Sequence, residues 1–409
     1  MADLRYPWAP YVGPPDSGEP WEGRGIFRDF YWRTPKQGAF YAQDNISYGE
    51  MFFNIGFRWD YFVQADEIHA IETEEGVYYG TDKSSDQANV ISPRLGVSYP
   101  ISDKAKVYFN YGHAYQLPEY YRFYARATQN IGSGALPIVG NVNLDYSKTI
   151  QYELGIEYLI NYAYKLKLSG FYKDQYGLIN VIEGRGRLAA DKYGNLDYAR
   201  ARGFEFELTK SIADYLTWGA KYEYSWAFGK SSSGTADYYL RAENQQIPLK
   251  ESALDWDIRH QVTLDATLRI RQDDHPVVGG IKLPDAWGAS VLWQVNSGFP
   301  FSPSKRYPGI TVIGTQSPPA NSETMPSYSN VDLKIYKDFI AGGLDFTYSL
   351  WITNLFNKKN VIKVYGDTGR PDTSILSSNR LIVTGSEHDM DPSNWGAGRN
   401  VKMALAVKF

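Results

Sequence analysis

Aromatic and cationic side chains gather in one short stretch of this chain: Tyr115, Tyr120, Tyr121, Phe123 and Tyr124, with Arg122 and Arg126 among them. Flat rings beside guanidinium groups can stack on a sugar, a peptide or an aromatic chelator, so Tyr115, Tyr120, Tyr121, Arg122, Tyr124 and Arg126 are the ligand candidates. The plainer reading of the same residues is an aromatic girdle and loop packing where a strand leaves its sheet. A second group is acidic. Asp66, Glu67, Glu72, Glu74 and Glu75 share one loop, and Asp367, Asp372, Asp389 and Asp391 share another. Carboxylate oxygens suit hard cations, but neither spacing follows a calcium-loop pattern, so both read as solvated acidic loops and no metal site is assigned. No nucleophile stands beside a general base in a recognisable motif, and Asp257 with His260 does not make one. Neither an enzyme nor a cofactor is expected.

Composition narrows the classes further. The 409 residues include 42 Lys and Arg against 46 Asp and Glu, for a formal net charge of −4, with no cysteine and five histidines. The missing cysteines rule out disulfides and thiolate metal sites and suit an oxidising compartment. Without a basic footprint, nucleic-acid binding is set aside. No stretch reaches the ~18 consecutive apolar residues of a transmembrane helix. Yet aromatic residues make up 16% of the chain, including 34 Tyr and 11 Trp, as the interfacial girdles of a membrane protein require. Trp59, Tyr61, Tyr108, Tyr111, Tyr222, Tyr224, Trp226 and Trp351 are girdle candidates.

The elements that must position these residues repeat from about Thr34 to Phe409: a long alternating strand, a short turn, another strand and a long polar loop. Short turns are predicted at Ser47–Glu50, Pro100–Asp103, Ile160–Ala163, Ile212–Tyr215 and Ile340–Gly343, with Gln272–Asp285 as a longer turn on the same side. Between them lie loops rich in Gly, Pro, Ser and acids, roughly Gln64–Asn89, Pro118–Ser147, Lys230–Leu254, Pro300–Ser327 and Lys363–Trp395. Along one strand Ile150, Tyr152, Leu154, Ile156 and Tyr158 alternate with Thr149, Gln151, Glu153, Gly155 and Glu157. Such a strand offers one face to hydrocarbon and one to water. Several strands exceed the ~9–11 residues a tilted strand needs to cross a bilayer, whereas globular strands average about 5–6. The fold class is therefore all-β, an antiparallel transmembrane β-barrel. Arg58, Asp60, Glu153, Glu157, Glu205, Glu207, Asp265 and Arg269 would face its wet or plugged lumen. Residues 1–33 read as a Pro/Gly-rich loop or linker, with Arg24–Trp32 as a possible extra strand, and 34–409 as the barrel segment.

Several stretches resemble TonB-dependent outer-membrane receptors. Gln37-Gly38-Ala39-Phe40-Tyr41-Ala42-Gln43-Asp44 and Asn54-Ile55-Gly56-Phe57-Arg58-Trp59-Asp60-Tyr61 are similar to that family's "YxQD" and "GxRxD" strand pair. Ser92–Pro100, Asn110–Pro118, Gly140–Gly155, Arg202–Glu207, Asp257–His260 and Ile352–Asn357 follow in the expected order. In Gly140–Gly155, Asp145-Tyr146 stands where Lys-Pro is usual. The last strand, with Val401, Met403, Leu405, Val407 and a terminal Phe409 on one face, looks like the signal that the barrel-assembly machinery reads; any closing strand would alternate similarly.

The resemblance implies a barrel of 22 strands with a plugged lumen, in the outer membrane of a Gram-negative bacterium. About 13–14 strands are countable here, and an odd antiparallel set cannot close on itself without a parallel seam. The chain then reads either as the C-terminal part of a larger barrel or, with Arg24–Trp32 as a fourteenth strand, as a smaller complete one. Met1–Arg5 shows no signal peptide, so the chain is expected to start after processing or part-way through a longer protein. Neither a plug nor the box that pairs with TonB is identifiable in residues 1–34, so TonB would act only through a plug region not visible here. The function implied is uptake of a bulky scarce nutrient, such as an iron chelate, a glycan or a peptide. A passive pore, or a structural barrel anchoring a surface assembly with a lipoprotein or second chain, is the alternative; a soluble β-sandwich is the fallback.

Overall fold

The computed structural model describes residues 34–64, 71–73, 76–78, 88–124, 138–183, 191–211, 215–242, 247, 250–303, 319–374 and 390–408. Thirteen strands follow one another in a single antiparallel sheet whose spatial order is the order of the chain. They are β1 (Lys36–Tyr48), β2 (Met51–Val63), β3 (Ala88–Ser102), β4 (Ala105–Gln116) and β5 (Ser147–Asn161). Next come β6 (Tyr164–Ile182), β7 (Asp191–Lys210), β8 (Leu216–Gly229) and β9 (His260–Ile270). The series ends with β10 (Trp287–Asn296), β11 (Tyr328–Ala341), β12 (Leu344–Thr353) and β13 (Asn400–Lys408). The expected extra strand at Arg24–Trp32, the acidic loop from Asp66 to Glu75, apart from the backbone strand segments Ile71–Thr73 and Gly76–Tyr78, and Phe409 lie outside the described residues.

The tight turns fall one or two residues later than the sequence reading placed them. Pairing continues to Tyr48 opposite Met51, Ser102 opposite Ala105, Asn161 opposite Tyr164 and Ala341 opposite Leu344. Each leaves two residues in the turn, because apolar Ile101, Ile160 and Ile340 prolong their strands rather than begin the loop. Gly342 and Gly343 both have positive φ, 57° and 78°, the conformation a two-residue hairpin of matching twist requires. The turn at Ile212–Tyr215 falls largely outside the described residues. Gln272–Asp285 is itself a small hairpin, pairing Val277–Val278 with Ile281–Lys282.

The alternation survives folding strand by strand. On one face Phe57, Leu154, Ile156, Phe204, Tyr224, Val291 and Met403 are all exposed, an apolar skin against which none of the described residues packs closely. The opposite face carries Asn54, Lys106, Tyr108, Glu153, Glu157 and Lys167, which line a concavity of about 590 Å³. Charge on that face is tolerable because water reaches it, while the apolar face suits hydrocarbon. Two girdle candidates are corrected here. Tyr108 lies on the charged face, donating its hydroxyl to Glu153 Oε1 at 2.8 Å, and Trp351 pairs with Lys402 and lies beneath Lys334 Nζ at 5.4 Å. In β4 the run Tyr108-Phe109-Asn110-Tyr111 has rings on both faces, so ring identity alone does not reveal the side.

Edge strands β1 and β13 are exposed along nearly their whole length. Twelve consecutive antiparallel steps separate them, so they run in the same direction. Joining them directly would make a parallel seam, and an antiparallel closure needs an odd number of strands between them.

Glycines mark where neighbouring side chains press flat on the sheet. A Cβ at Gly155 would lie 2.5 Å from the Tyr108 ring, whose tip can swing away, whereas at Gly203 it would lie 2.5 Å from the Tyr224 carbonyl oxygen. Overpacking a well-filled site costs about 1–3 kcal/mol. Gly203→Ala is therefore expected to cost more than Gly155→Ala, since backbone cannot yield as a ring can. Denaturant unfolding of the two variants in detergent checks the order.

Candidate functional site

The inner wall is the first part of the site. Lys106 Nζ lies 3.1 Å from Glu157, Lys167 Nζ lies 3.4 Å from Glu153, and Lys221 Nζ lies 3.7 Å from Glu207. Ser169 donates to Glu205 at 3.2 Å, and Arg58 grips Asp60 at 2.8 Å within its own strand. Each acid that the sequence places in the lumen at Glu153, Glu157, Glu205 and Glu207 thus meets a donor on the adjacent strand. Sequence reading missed the lysines Lys106, Lys167 and Lys221; the signal for them was their parity with those acids. Such half-exposed pairs are each worth at most about 1 kcal/mol, so the wall is a polar lining more than a stabilising device.

The second part is the long-loop end of the sheet, where β6 and β7 outrun the ~9–11 residues of a membrane crossing. Helix α1 (Tyr120–Tyr124) packs there against Phe62 of β2, Val181 of β6 and Tyr193 of β7, with Val142 and Leu144 from the segment that follows. Phe62 and Phe123 are 0% exposed, and burying side chains of this size stabilises by about 1.5–3 kcal/mol each. The ligand candidates separate accordingly. Tyr124 is 1% exposed and is a core residue beside Phe123, so it presents no ring to a ligand. Arg122 is held over the rings of Tyr121 at 5.3 Å and Tyr193 at 5.5 Å and pairs with Glu119, which makes it a tie within the cluster. Tyr115 packs edge-on to Tyr146 at 6.4 Å, at the top of β4. Tyr120 and Tyr121 keep open surface, 42% and 45% exposed. Arg126 lies outside the described residues.

A buried polar knot, not anticipated from sequence, ties the next loop down. A bulge in β7 between Asn195 and Tyr198 accompanies the inward placement of Asp197. Its carboxylate accepts from Asn180 Nδ2 at 2.7 Å and from Ser231 Oγ, and it lies 3.1 Å from Lys230 Nζ. Lys230 also reaches Asp237 at 2.9 Å, at the first turn of α2 (Ala236–Ala242), and Arg241 of that helix holds Asp191 at 2.7 Å. Asp257 accepts from the Ala227 amide at 2.9 Å, docking the loop's far end, and packing by Leu254 on Ala199 and Ala227 completes it. Burial pushes the Asp257 carboxyl up despite the Arg259 guanidinium beside it. Asp257 and His260 do not come together as an acid–imidazole pair: His260 Nδ1 is 2.9 Å from the Tyr222 hydroxyl.

Burial pulls the Lys230 ammonium down, but hydrogen bonds and charge from Asp237 and Asp197 outweigh it and hold its pKa above the ordinary lysine value. A raised lysine stabilises fully below its unfolded value of about 10.4, and the contribution fades as the pH climbs through the folded value. The loop after β8 is thus expected to loosen in that alkaline window, read as faster proteolysis there. Lys230→Met should abolish the pH dependence and cost about 2 kcal/mol, less than the ~3–5 of a fully buried pair because the lysine is partly exposed.

No curated protein sequence matches this chain. Among solved structures, the FrpB iron transporter from Neisseria meningitidis is similar over 92% of this chain and 46% of its own, at 13% identity and a TM-score of 0.52. A ferric enterobactin receptor, PfeA from Pseudomonas aeruginosa, is similar over 91% and 45%, at 18% identity and TM-score 0.51. The copper transporter OprC is similar over 90% and 47%, at 14% identity and TM-score 0.50. At such identities these likenesses show the fold alone, and the chain spans less than half the length of each. The family model for the TonB dependent receptor-like β-barrel matches residues 2–355. With its two-faced antiparallel sheet and charged inner wall, the chain belongs to the TonB-dependent receptor β-barrel family, whose members sit in the outer membrane of Gram-negative bacteria.

Proposed function

We propose that this barrel serves active, TonB-dependent uptake of a bulky, scarce nutrient: an iron chelate, a glycan or a peptide. The observation that supports this most is the mouth of the sheet, where exposed rings at Tyr120 and Tyr121 stand on a packed platform above a charged, water-accessible wall. Rigid aromatic surface captures flat or apolar parts of a ligand, and a polar wall lets a hydrated solute pass without a dehydration barrier. The similar structures carry iron, a ferric chelate or copper by their own descriptions, which favours a metal chelate among the three classes. In this reading TonB engages a plug region, and Val401, Met403, Leu405, Val407 and Phe409 form the strand recognised by the barrel-assembly machinery.

Radiolabelled ferric chelates offered to cells with and without TonB test the transport reading. Accumulation that disappears without TonB is the expected result, and TonB-independent ion conductance of the full-length protein in planar bilayers would sink it in favour of a passive pore. Aromatic contacts contribute about 0.5–1.5 kcal/mol each. Tyr120→Ala with Tyr121→Ala should therefore weaken binding of the transported ligand about tenfold. Arg122→Ala should instead lower the stability of the loop cluster, seen as earlier thermal unfolding.

A further inference from the structure

The outer, hydrocarbon-facing side of the sheet changes character abruptly at its long-loop end. Cross-strand register puts Leu154, Gly170, Phe204 and Tyr224 in one row across β5 to β8. The next row is Tyr152, Tyr172, Arg202 and Trp226, and the next is Ile150, Asp174, Arg200 and Phe228. Lys148, opposite Tyr176 of β6, tops the same face. One face therefore passes from exposed hydrocarbon-type side chains, with Phe204 63% exposed, through a ring girdle to cations within two residue pairs.

Those cations are only partly neutralised by protein. Arg202 is exposed, lies over the Trp226 ring at 5.1 Å, and has no carboxylate partner among the described residues. Arg200 reaches Glu251 at 3.4 Å, but its Nε makes no hydrogen bond. Lys148 lies over the Tyr115 ring at 5.7 Å, and Arg259 over Phe228 at 5.1 Å while pairing with Asp257. Asp174, the one acid in these rows, lies between Tyr172 and Tyr176 along its own strand. An unpaired guanidinium at the edge of hydrocarbon is costly unless the membrane supplies an anion, and its planar fork matches a phosphate.

We propose that Arg202 and Arg200, with Lys148 beside them, form an outward-facing site for the phosphorylated headgroup of a glycolipid in the outer leaflet, the lipid's chains lying along Leu154 and Phe204. The site stands apart from the nutrient pathway, since it is on the opposite face of the sheet from Glu153 and Lys167. A basic side chain at a charged membrane surface strengthens lipid attachment by about 1 kcal/mol, roughly fivefold per cation.

The test uses the full chain purified in detergent and mixed with micelles carrying either diphosphorylated lipid A or its dephosphorylated form, with retained lipid counted by native mass spectrometry. Wild-type protein should retain the phosphorylated form selectively. Arg202→Gln should lose about fivefold and Arg200→Gln with Arg202→Gln more, while Arg202→Lys keeps most of the retention and guards against a folding artefact. Lys282→Gln removes an equal charge from the hairpin at the short-turn end and should leave lipid retention unchanged. Equal retention of dephosphorylated lipid, an undiminished Arg202→Gln variant, or complete displacement by inorganic phosphate alone would each overturn the proposal.

Discussion

Inside hydrocarbon every backbone amide and carbonyl must find its partner within the protein, and this requirement shapes the whole chain. A strand cannot satisfy itself, so each one needs a neighbour on both sides, and the cheapest neighbour is the next strand of the chain. The uninterrupted order from β1 to β13 follows. Short turns, four of them of two residues, keep that order on one side, and the loops on the other side are free to lengthen because they stand in water. Among the described residues, the same requirement leaves β1 and β13 as the two places where the ladder is unfinished. Their common direction, more than their composition, determines what kind of partner can complete them.

Once the ladder is made, side chains sort by parity. The outer set is apolar over most of its height, gives way to cations only at the long-loop end, and stays exposed among the described residues. The inner set must tolerate water, and its acids and lysines answer one another across strands, as Glu153 does with Tyr108 and Lys167. Neither set makes a core in the manner of a globular protein. The packed core lies instead at the long-loop end, where Phe62, Phe123, Val181 and Tyr193 exclude water together. The exposed rings of Tyr120 and Tyr121 therefore stand on a packed base at that end.

The knot around Asp197 and Lys230 uses the opposite strategy from the aromatic cluster. Buried charge is expensive, and it is offset here by hydrogen bonds from Asn180 and Ser231 as well as by the ion pairs. Directional bonds of this kind fix α2 in one orientation on β6 and β7, which apolar packing alone does less selectively. The two loops that frame the mouth are therefore held by different physics, one by burial and one by charge.

Fold class was legible from sequence because alternation with period two is a local property. Residues such as Ile150 to Tyr158 display it without reference to any neighbour, and the short turns display the connectivity. Turn positions were legible to within one or two residues, the error arising where an apolar Ile could either end a strand or extend it. The side on which a ring sits was not legible where both parities carry rings, as at Tyr108. What only the tertiary structure decided is which residues meet across strands and loops. Tyr124 and Tyr120 are alike as sequence, but one is sealed in a core by Phe62 and Phe123 and the other is open. Arg202 reads as an ordinary charge until register places it in the girdle row beside Trp226, because register is set by pairing with distant strands and by no property of Arg202 itself.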